Sequence, residues 1–116
     1  MAAHVNLVLD QGTSFEHVFS LQNEDGTTMD LTNLTPLSQM RKSYYTVNAV
    51  DLTVVVVGDP LDGILQMQVE PSETDSIRAG RYVYDIEMHG SHVDNLGFVR
   101  RVIEGVINVT PQVTRV

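Results

Sequence analysis

Hydrophobic and polar residues alternate with a period of two over most of the chain, which is the pattern of half-buried β-strands. Phe15, His17, Phe19 and Leu21 share one face of such a segment. Most of these runs are bounded by Gly, Pro, Asn or Asp, which favour turns. Seven strands are predicted in this way, over residues 5–9, 15–21, 34–42, 52–57, 64–69, 82–88 and 99–109.

Three of these segments carry more specific expectations. The segment 64–69 alternates cleanly, with Leu65, Met67 and Val69 predicted to face the core. The segment 52–57 (LTVVVV) is apolar on both faces, so it is predicted to be a buried central strand. Pro36 cannot donate to a strand ladder, and we therefore expect it near a sheet edge or at the start of its strand.

One segment predicts a helix, over residues 71–78. Ser72 is a candidate N-cap, acidic residues follow it, and Gly80 is expected to end the helix after about two turns. A helix this short is not stable alone, so we expect a crossover between two sheets. Seven closely spaced strands and one short helix predict an all-β sandwich or barrel in a single domain, residues 1–116.

Composition narrows the function classes. Seven Lys and Arg residues against fifteen Asp and Glu residues give a net charge of −8, which argues against nucleic-acid and anionic-membrane partners. The chain has no Cys, which excludes thiol nucleophiles and thiolate metal sites. No apolar run approaches the roughly 20 residues of a membrane span, and the N-terminal residues lack the basic region of a signal peptide. These features predict a soluble acidic domain.

No motif in the sequence predicts catalysis. The G-x-S-x-G, S-x-x-K and P-loop patterns do not occur, so we expect neither an enzyme nor a cofactor. His89 and His92 would form a metal site only if they converged with His4 or an acid, and they are interpreted as ordinary loop histidines. His17, on an apolar face, is interpreted as a core or rim histidine.

Acidic residues cluster in predicted turns. Solvated turn carboxylates are the main interpretation, and a loose calcium site between loops is the alternative. Asp85 lies on the face opposite Tyr82, Tyr84 and Ile86, which are predicted to point inward. It is expected to pair across strands with one of the arginines at 81, 100 and 101. The turn acids are Glu24, Asp25, Asp59, Asp62, Glu73 and Asp75.

The basic and aromatic cluster RKSYY at residues 41–45 is the candidate binding site. Arg and Tyr are enriched at protein interface hot spots, so Arg41, Tyr44 and Tyr45 are predicted to contact a protein partner. Packing within a hairpin is the alternative for the two tyrosines. Stacking on single-stranded nucleic acid is disfavoured, because the cluster has only two cations in an acidic chain.

Five stretches of the chain carry a recurring family pattern. They are GTSF at 12–15, GTTMDLT at 26–32, QMRKS at 39–43, ETDSIRAGRYVYDIE at 73–87 and RVIEGVINVTPQVTR at 101–115. Together they resemble a family of small tailed-bacteriophage structural proteins with an immunoglobulin-like β-sandwich. The resemblance covers about four-fifths of the chain, and the order of the stretches matches the family pattern throughout. Pro36 departs from the aromatic or Gly-Tyr that the family has near this position.

The resemblance implies an immunoglobulin-like antiparallel β-sandwich and a non-enzymatic structural role in the virion. It implies an accessory or decoration module that binds neighbouring virion proteins within a symmetric homo-oligomeric assembly, in the tail or baseplate in preference to the capsid. Residues 1–6 and 110–116 are then expected to be partner-binding arms, with Val113 and Arg115 among the contacts. The alternative is a carbohydrate-binding module that uses Tyr44 or Tyr45 as a sugar platform.

Overall fold

All seven predicted strands are present in the computed structural model, which describes residues 2–91 and 97–114. A further two-residue strand precedes them, and the prediction of an all-β fold is confirmed. A 3-10 helix covers Pro60–Asp62 and a short helix, α1, covers Pro71–Thr74. The strands are β1 (Ala3–His4), β2 (Leu7–Asp10), β3 (Phe15–Ser20), β4 (Thr35–Arg41), β5 (Val50–Val56), β6 (Ile64–Val69), β7 (Gly80–Ser91) and β8 (Gly97–Thr110).

The strands form one curled sheet in which β5 takes part in two layers. Residues 50–52 of β5 pair with β4, and residues 53–56 pair with β6. One layer continues from β4 through β7 to β8, and the other continues from β6 to β3. Because β5 leaves β4 halfway along its length, the sheet folds over on itself and encloses one core.

This pairing is the strand arrangement of immunoglobulin-like domains. The strands β3, β6 and β5 correspond to B, E and D of such domains, and β4, β7 and β8 correspond to C, F and G. The sandwich is not wholly antiparallel, because β1 and β2 pair with β8 in parallel. About a hundred residues separate these strands along the chain, so no hairpin turn forces them to run in opposite directions.

The core lies between the inward faces of the two layers. The predicted inward faces of 15–21, 64–69 and 82–88 are confirmed. The alternation follows from the two-layer arrangement, in which each strand covers the core with every second side chain. Side chains that are almost fully buried come from both layers and from one loop, and they include Leu9, Leu31, Met40, Leu65, Met67, Ile86, Met88 and Ile107.

The prediction of a strand buried on both faces over 52–57 was wrong. Leu52 and Val54 are buried, but Val55 is 38% exposed and lies on the outer face. A sheet in a two-layer sandwich has only one covered face, so β5 is interior in the sheet without being buried on both sides. Pro36 lies near the start of β4, where β4 pairs with β7 only, which confirms its predicted position.

The helix is shorter than predicted. It ends at Thr74 after one turn, and its N-cap position is Glu70 and not Ser72. Pro71 has a fixed φ and no N–H, so it occupies the first helical position. The N-cap therefore lies directly before it, at Glu70. Beyond the helix the chain turns Ile77 into the core, and the Ile77 carbonyl accepts a 2.8 Å hydrogen bond from the Gln11 amide. No helix in the described part of the chain is long and apolar enough to cross a membrane.

Candidate functional site

The connection between β4 and β5, residues 42–49, forms a loop that we call the tyrosine loop. Residues 43–46 make a tight turn, in which the Thr46 N–H donates to the Ser43 carbonyl (3.2 Å) and the Ser43 N–H donates to Thr46 Oγ1 (3.2 Å). Tyr44 and Tyr45 occupy the two central positions of this turn, with 77% and 94% of their surface exposed. The alternative of packing within a hairpin was therefore wrong for both tyrosines.

Arg41 holds the tyrosine loop in place. Its Nη1 donates to the carbonyl oxygens of Thr46 (2.7 Å) and Val47 (2.6 Å), and its Nη2 donates to Gln39 Oε1 (3.1 Å). A planar guanidinium group satisfies these acceptors together, which a flexible ammonium group would not do. Arg41 thus supports the conformation that presents the tyrosines, and its direct contact with a partner stays a prediction.

The second cation of the cluster is also engaged within the protein. Lys42 Nζ lies 4.7 Å from the centroid of the Tyr82 ring, a cation–π distance. Tyr82 is buried and donates its hydroxyl to the Arg78 carbonyl (2.7 Å). With Arg41 and Lys42 both occupied, the tyrosine loop presents aromatic and apolar side chains to solvent, and Val47 adds to them with 89% of its surface exposed.

A polar groove runs along the outer face of β4, β5 and β7 beside this loop. It consists of two adjoining depressions of about 410 and 310 Å³, both lined by Gln39, Asp85 and Glu87. Tyr44 lines the smaller depression, and Leu37 lines the larger one. We call this feature the outer groove. It places hydrogen-bonding side chains next to the exposed ring of Tyr44.

A β-bulge in β8 places charged side chains in the outer groove. Ile86 pairs with Ile103 and Glu87 pairs with Arg101, so Val102 is the extra residue. Because of the bulge, Arg101 and Glu104 lie on the same face, although strict alternation would separate them. Arg101 Nε lies 3.3 Å from Asp85 Oδ2, and its Nη1 lies 3.4 Å from Glu104 Oε2. The predicted pairing of Asp85 with an arginine is confirmed for Arg101.

The outer groove has an excess of negative charge around Asp85. Partial burial raises the pKa of the Asp85 carboxyl group, and the neighbouring carboxylate of Glu87 raises it further. The Arg101 guanidinium opposes this shift without cancelling it. Because about a third of the Asp85 side chain is exposed, the groove is acidic but remains hydrated.

The turn acids act as backbone caps where the structure describes their hydrogen bonds. Asp25 Oδ1 accepts from the Thr27 N–H (3.0 Å), and Asp59 Oδ1 accepts from the Leu61 N–H (3.0 Å). Hydrogen bonds from the Thr27 side chain and backbone lower the pKa of Asp25, and Thr32 lowers that of Asp30 in the same way. These contacts match the interpretation of turn carboxylates bonded to their own backbone.

The histidines in the part of the chain that the structure describes do not join acids in a cluster of three potential metal ligands. Within residues 2–91 and 97–114, no group of three or more His, Cys, Asp or Glu side chains has an arrangement that could hold a metal ion. His89 Nε2 lies 3.1 Å from Glu87 Oε1, and the His17 ring centroid lies 4.7 Å from that of Phe19. His92 lies outside the described residues.

The two predicted arms differ in how they are held. Residues 3–6 lie against β8, where β1 pairs with it and Asn6 Oδ1 accepts from the Val106 N–H (3.1 Å). After β8, the Gln112 N–H donates to Gln11 Oε1 (3.0 Å), and Val113 is exposed. Arg115 lies outside the described residues. Partner binding by either arm stays a prediction.

Sequence reasoning missed two exposed apolar residues, Val47 and Leu37. Val47 interrupts a polar, turn-forming stretch, and this break in the pattern could have identified it. Leu37 follows Pro36 in a strand whose alternation is weak, so the sequence did not predict that its side chain faces outward. The outer groove depends on strand order and on the bulge at Val102, and neither is encoded locally.

The fold and this surface define an all-β domain of the immunoglobulin-like class that presents an exposed aromatic loop. Among solved structures, it is similar to one described as the N-terminal domain of phage TP901-1 ORF48, with a TM-score of 0.60 and 13% identity. The match covers 90% of this chain and 84% of that domain. No family model and no curated protein matches the sequence. The likeness shows that a phage protein has this fold.

Proposed function

We propose that this protein is a non-enzymatic structural module of a bacteriophage virion, an accessory or decoration protein that binds neighbouring virion proteins. The observation that carries the proposal is the tyrosine loop, in which Tyr44 and Tyr45 are exposed on a turn braced by Arg41. The shared fold with a phage domain and the sequence resemblance to phage structural proteins support the virion setting.

The physical properties of the loop favour protein recognition. Tyrosine rings supply a large contact area at a low cost in side-chain entropy, and they are enriched among residues that dominate binding energy. The hydrogen bonds of Arg41 and Thr46 order the loop before a partner arrives, which lowers the entropic cost of binding. The acidic outer groove beside Tyr44 would favour partner surfaces that carry basic side chains.

Immunogold electron microscopy of purified particles tests the proposal. Antibody raised against the recombinant domain is expected to label one regular site, which would also distinguish the tail or baseplate, our preference, from the capsid. A particle that carries Tyr44→Ala and Tyr45→Ala is expected to lose the label. The matched control is Leu61→Ala, which removes an exposed apolar side chain from the 3-10 helix. Absence of label on wild-type particles would contradict the proposal.

A second candidate function is carbohydrate binding on the virion, and the exposure of Tyr44 and Tyr45 is the observation that favours it. Sugar rings stack on exposed aromatic faces, and the outer groove would add hydrogen-bonding groups beside Tyr44. Retention of the wild-type protein on a glycan array, lost with Tyr44→Ala and Tyr45→Ala, would support this function. Retention by neither protein, together with labelled particles, would favour protein binding.

A further inference from the structure

The strand β3 has an open edge. Within the described residues it pairs with β6 only, and it stands at one end of the strand order. The Leu21 N–H donates to the Gly63 carbonyl (2.8 Å), which fixes the alternation of hydrogen bonds along this pair. Phe15, His17 and Phe19 therefore direct their backbone groups toward β6. The backbone N–H and C=O groups that point away from the sheet belong to Glu16, Val18 and Ser20.

The opposite edge of the sheet is protected in ways that β3 is not. There, β1 has two residues and β2 has four, and the chain is irregular between them at Val5 and Asn6. By contrast, β3 pairs regularly over six residues and contains no Pro, Lys or bulge. Short strands, lysines, prolines and bulges are the devices that prevent edge pairing, so β3 is an edge at which another strand can add.

We propose that β3 pairs with β3 of a second copy of this chain, antiparallel about a two-fold axis at Val18. In this register Val18 lies opposite the partner's Val18, and Glu16 lies opposite the partner's Ser20. All three outward-pointing residues of each strand then form hydrogen-bonded pairs, giving about six hydrogen bonds between the chains. The two layers that contain β3 become one continuous sheet across the dimer.

The sequence of β3 itself favours a second copy as the occupant. Val18 is 56% exposed on the outer face, and pairing brings it against the partner's Val18 as a cross-strand apolar contact. The strand's only acid, Glu16, faces a neutral serine, so no like charges are opposed. The axis at Val18 is the one that pairs all three outward-pointing residues within the two strands, whereas an axis at Glu16 would place the two carboxylates opposite each other and leave Ser20 unpaired.

This inference deepens the proposed function, and it rests on that function only in expecting copies to lie side by side in a particle. A six-residue strand pair buries less surface than a stable standard-size interface, so the isolated dimer should be weak. Within an assembly the high effective concentration would strengthen it without any new contact. Dimerisation through β3 is separable from binding through the tyrosine loop, which lies on the other layer.

Disulfide trapping in the full chain tests the pairing. The chain has no cysteine, so Val18→Cys gives a single thiol that can cross-link only to another copy. Hydrogen-bonded antiparallel residues have Cα atoms about 5.5 Å apart, within the range that a disulfide spans. The control is Val55→Cys, because Val55 and Val18 flank Gln66 in the same cross-strand row but Val55 lies on interior β5. We expect Val18→Cys to cross-link several-fold faster, and equal rates would overturn the proposal.

Sedimentation equilibrium over a rising concentration series gives a second test. Wild-type protein is expected to dimerise weakly, Val18→Lys to remain monomeric and Val55→Lys to behave as wild type. A dimer that persists in Val18→Lys would overturn the proposal. If Val18→Lys loses particle labelling while Val18→Cys does not cross-link, a strand of another protein occupies the edge and the second-copy assignment is wrong. If Val18→Lys loses the dimer but still labels particles, the virion role depends on the tyrosine loop and not on pairing through β3.

Discussion

The hydroxyl of Tyr84 donates a 2.7 Å hydrogen bond to the backbone carbonyl of Val5, seventy-nine residues away in the sequence. Tyr84 is buried in the middle of β7, and Val5 lies at the break between β1 and β2. The same break brings the Val5 carbonyl against Gly105 of β8, while the Val5 N–H donates to the Glu104 carbonyl (2.9 Å). This hydrogen bond ties the N-terminal segment to the core.

Replacing Tyr84 by phenylalanine should destabilise the protein by about 1–2 kcal/mol, because the partly buried Val5 carbonyl loses its side-chain donor. Urea unfolding measures the change in the free energy of unfolding, and hydrogen exchange should become faster at the amides of Val5 and Leu7. The control is Tyr44→Phe, since the Tyr44 hydroxyl is on an exposed ring. Equal stability of the two variants would show that the hydrogen bond contributes nothing measurable.

The stability of the protein at alkaline pH should also depend on Tyr84. Burial raises the pKa of Tyr84 above its usual value near 10, so the folded state keeps this hydroxyl protonated where the unfolded chain ionises it. The stability that results is fully present below pH 10 and falls as the pH rises above that value. Denaturant midpoints measured between pH 8 and pH 11 should fall less steeply for Tyr84→Phe than for wild type. Parallel profiles would contradict the assignment.

The sequence was most informative about the face of a strand on which each side chain lies, because alternation relates each residue to its neighbours. Alternation identified the inward faces of three strands, and turn residues placed all seven strands. The direction of β1 and β2 could not be predicted, because parallel pairing with β8 depends on contacts about a hundred residues apart. The burial of LTVVVV was overestimated for a related reason, since composition does not reveal which face of an interior strand a second layer covers.

The candidate site was predictable in composition but not in geometry. The RKSYY cluster marked the tyrosine loop, and the exposure of both rings fits a binding role. Arg41 donates to the carbonyls of Thr46 and Val47, and these contacts depend on the turn at 43–46. The sequence predicts that turn only weakly. The acidic environment of Asp85 depends on the bulge at Val102, a feature of register that no local pattern announces.

Asp85→Asn is expected to stabilise the protein slightly at neutral pH. The pKa of Asp85 is raised above its ordinary value, so its ionised form is disfavoured in the folded state, and the favourable contribution present at low pH is lost as the pH rises through the folded pKa. Because the group is substantially hydrated, the gain should stay below about 1 kcal/mol. Thermal unfolding at pH 7 and pH 3 measures it, and the difference should shrink toward pH 3.

Arg101→Gln should have the opposite effect on stability at pH 7. It removes the cation that lies 3.3 Å from Asp85 and leaves the carboxylates of Glu87 and Glu104 uncompensated. Stability at pH 7 should fall, and Asp85→Asn should stabilise the Arg101→Gln variant by more than it stabilises the wild type. Additive effects of the two changes would show that these side chains do not interact.

Gly105→Ala should loosen the N-terminal segment. Gly105 has no left-handed backbone conformation, so an alanine there is penalised by contact of its Cβ with the Val5 carbonyl and, less closely, with the Asn6 side chain. Overpacking of this kind costs about 1–3 kcal/mol, and amide protection should be lost at Val5 first. Gly26→Ala is the control, because its positive φ imposes backbone strain while the added Cβ would contact nothing. Unchanged protection at Val5 in Gly105→Ala would contradict the close approach.

Arg41→Ala should release the tyrosine loop without unfolding the domain. The substitution removes the three hydrogen bonds to Thr46, Val47 and Gln39, while Tyr44 and Tyr45 stay in place as sites for chymotrypsin. Cleavage within the loop should become about tenfold faster, since a protease must first bind an extended segment that the wild-type turn resists. The control is Lys42→Ala, which removes the neighbouring cation but none of these hydrogen bonds. If both variants are cleaved at the wild-type rate, Arg41 does not brace the loop, and its contribution to partner binding would have to come from direct contact.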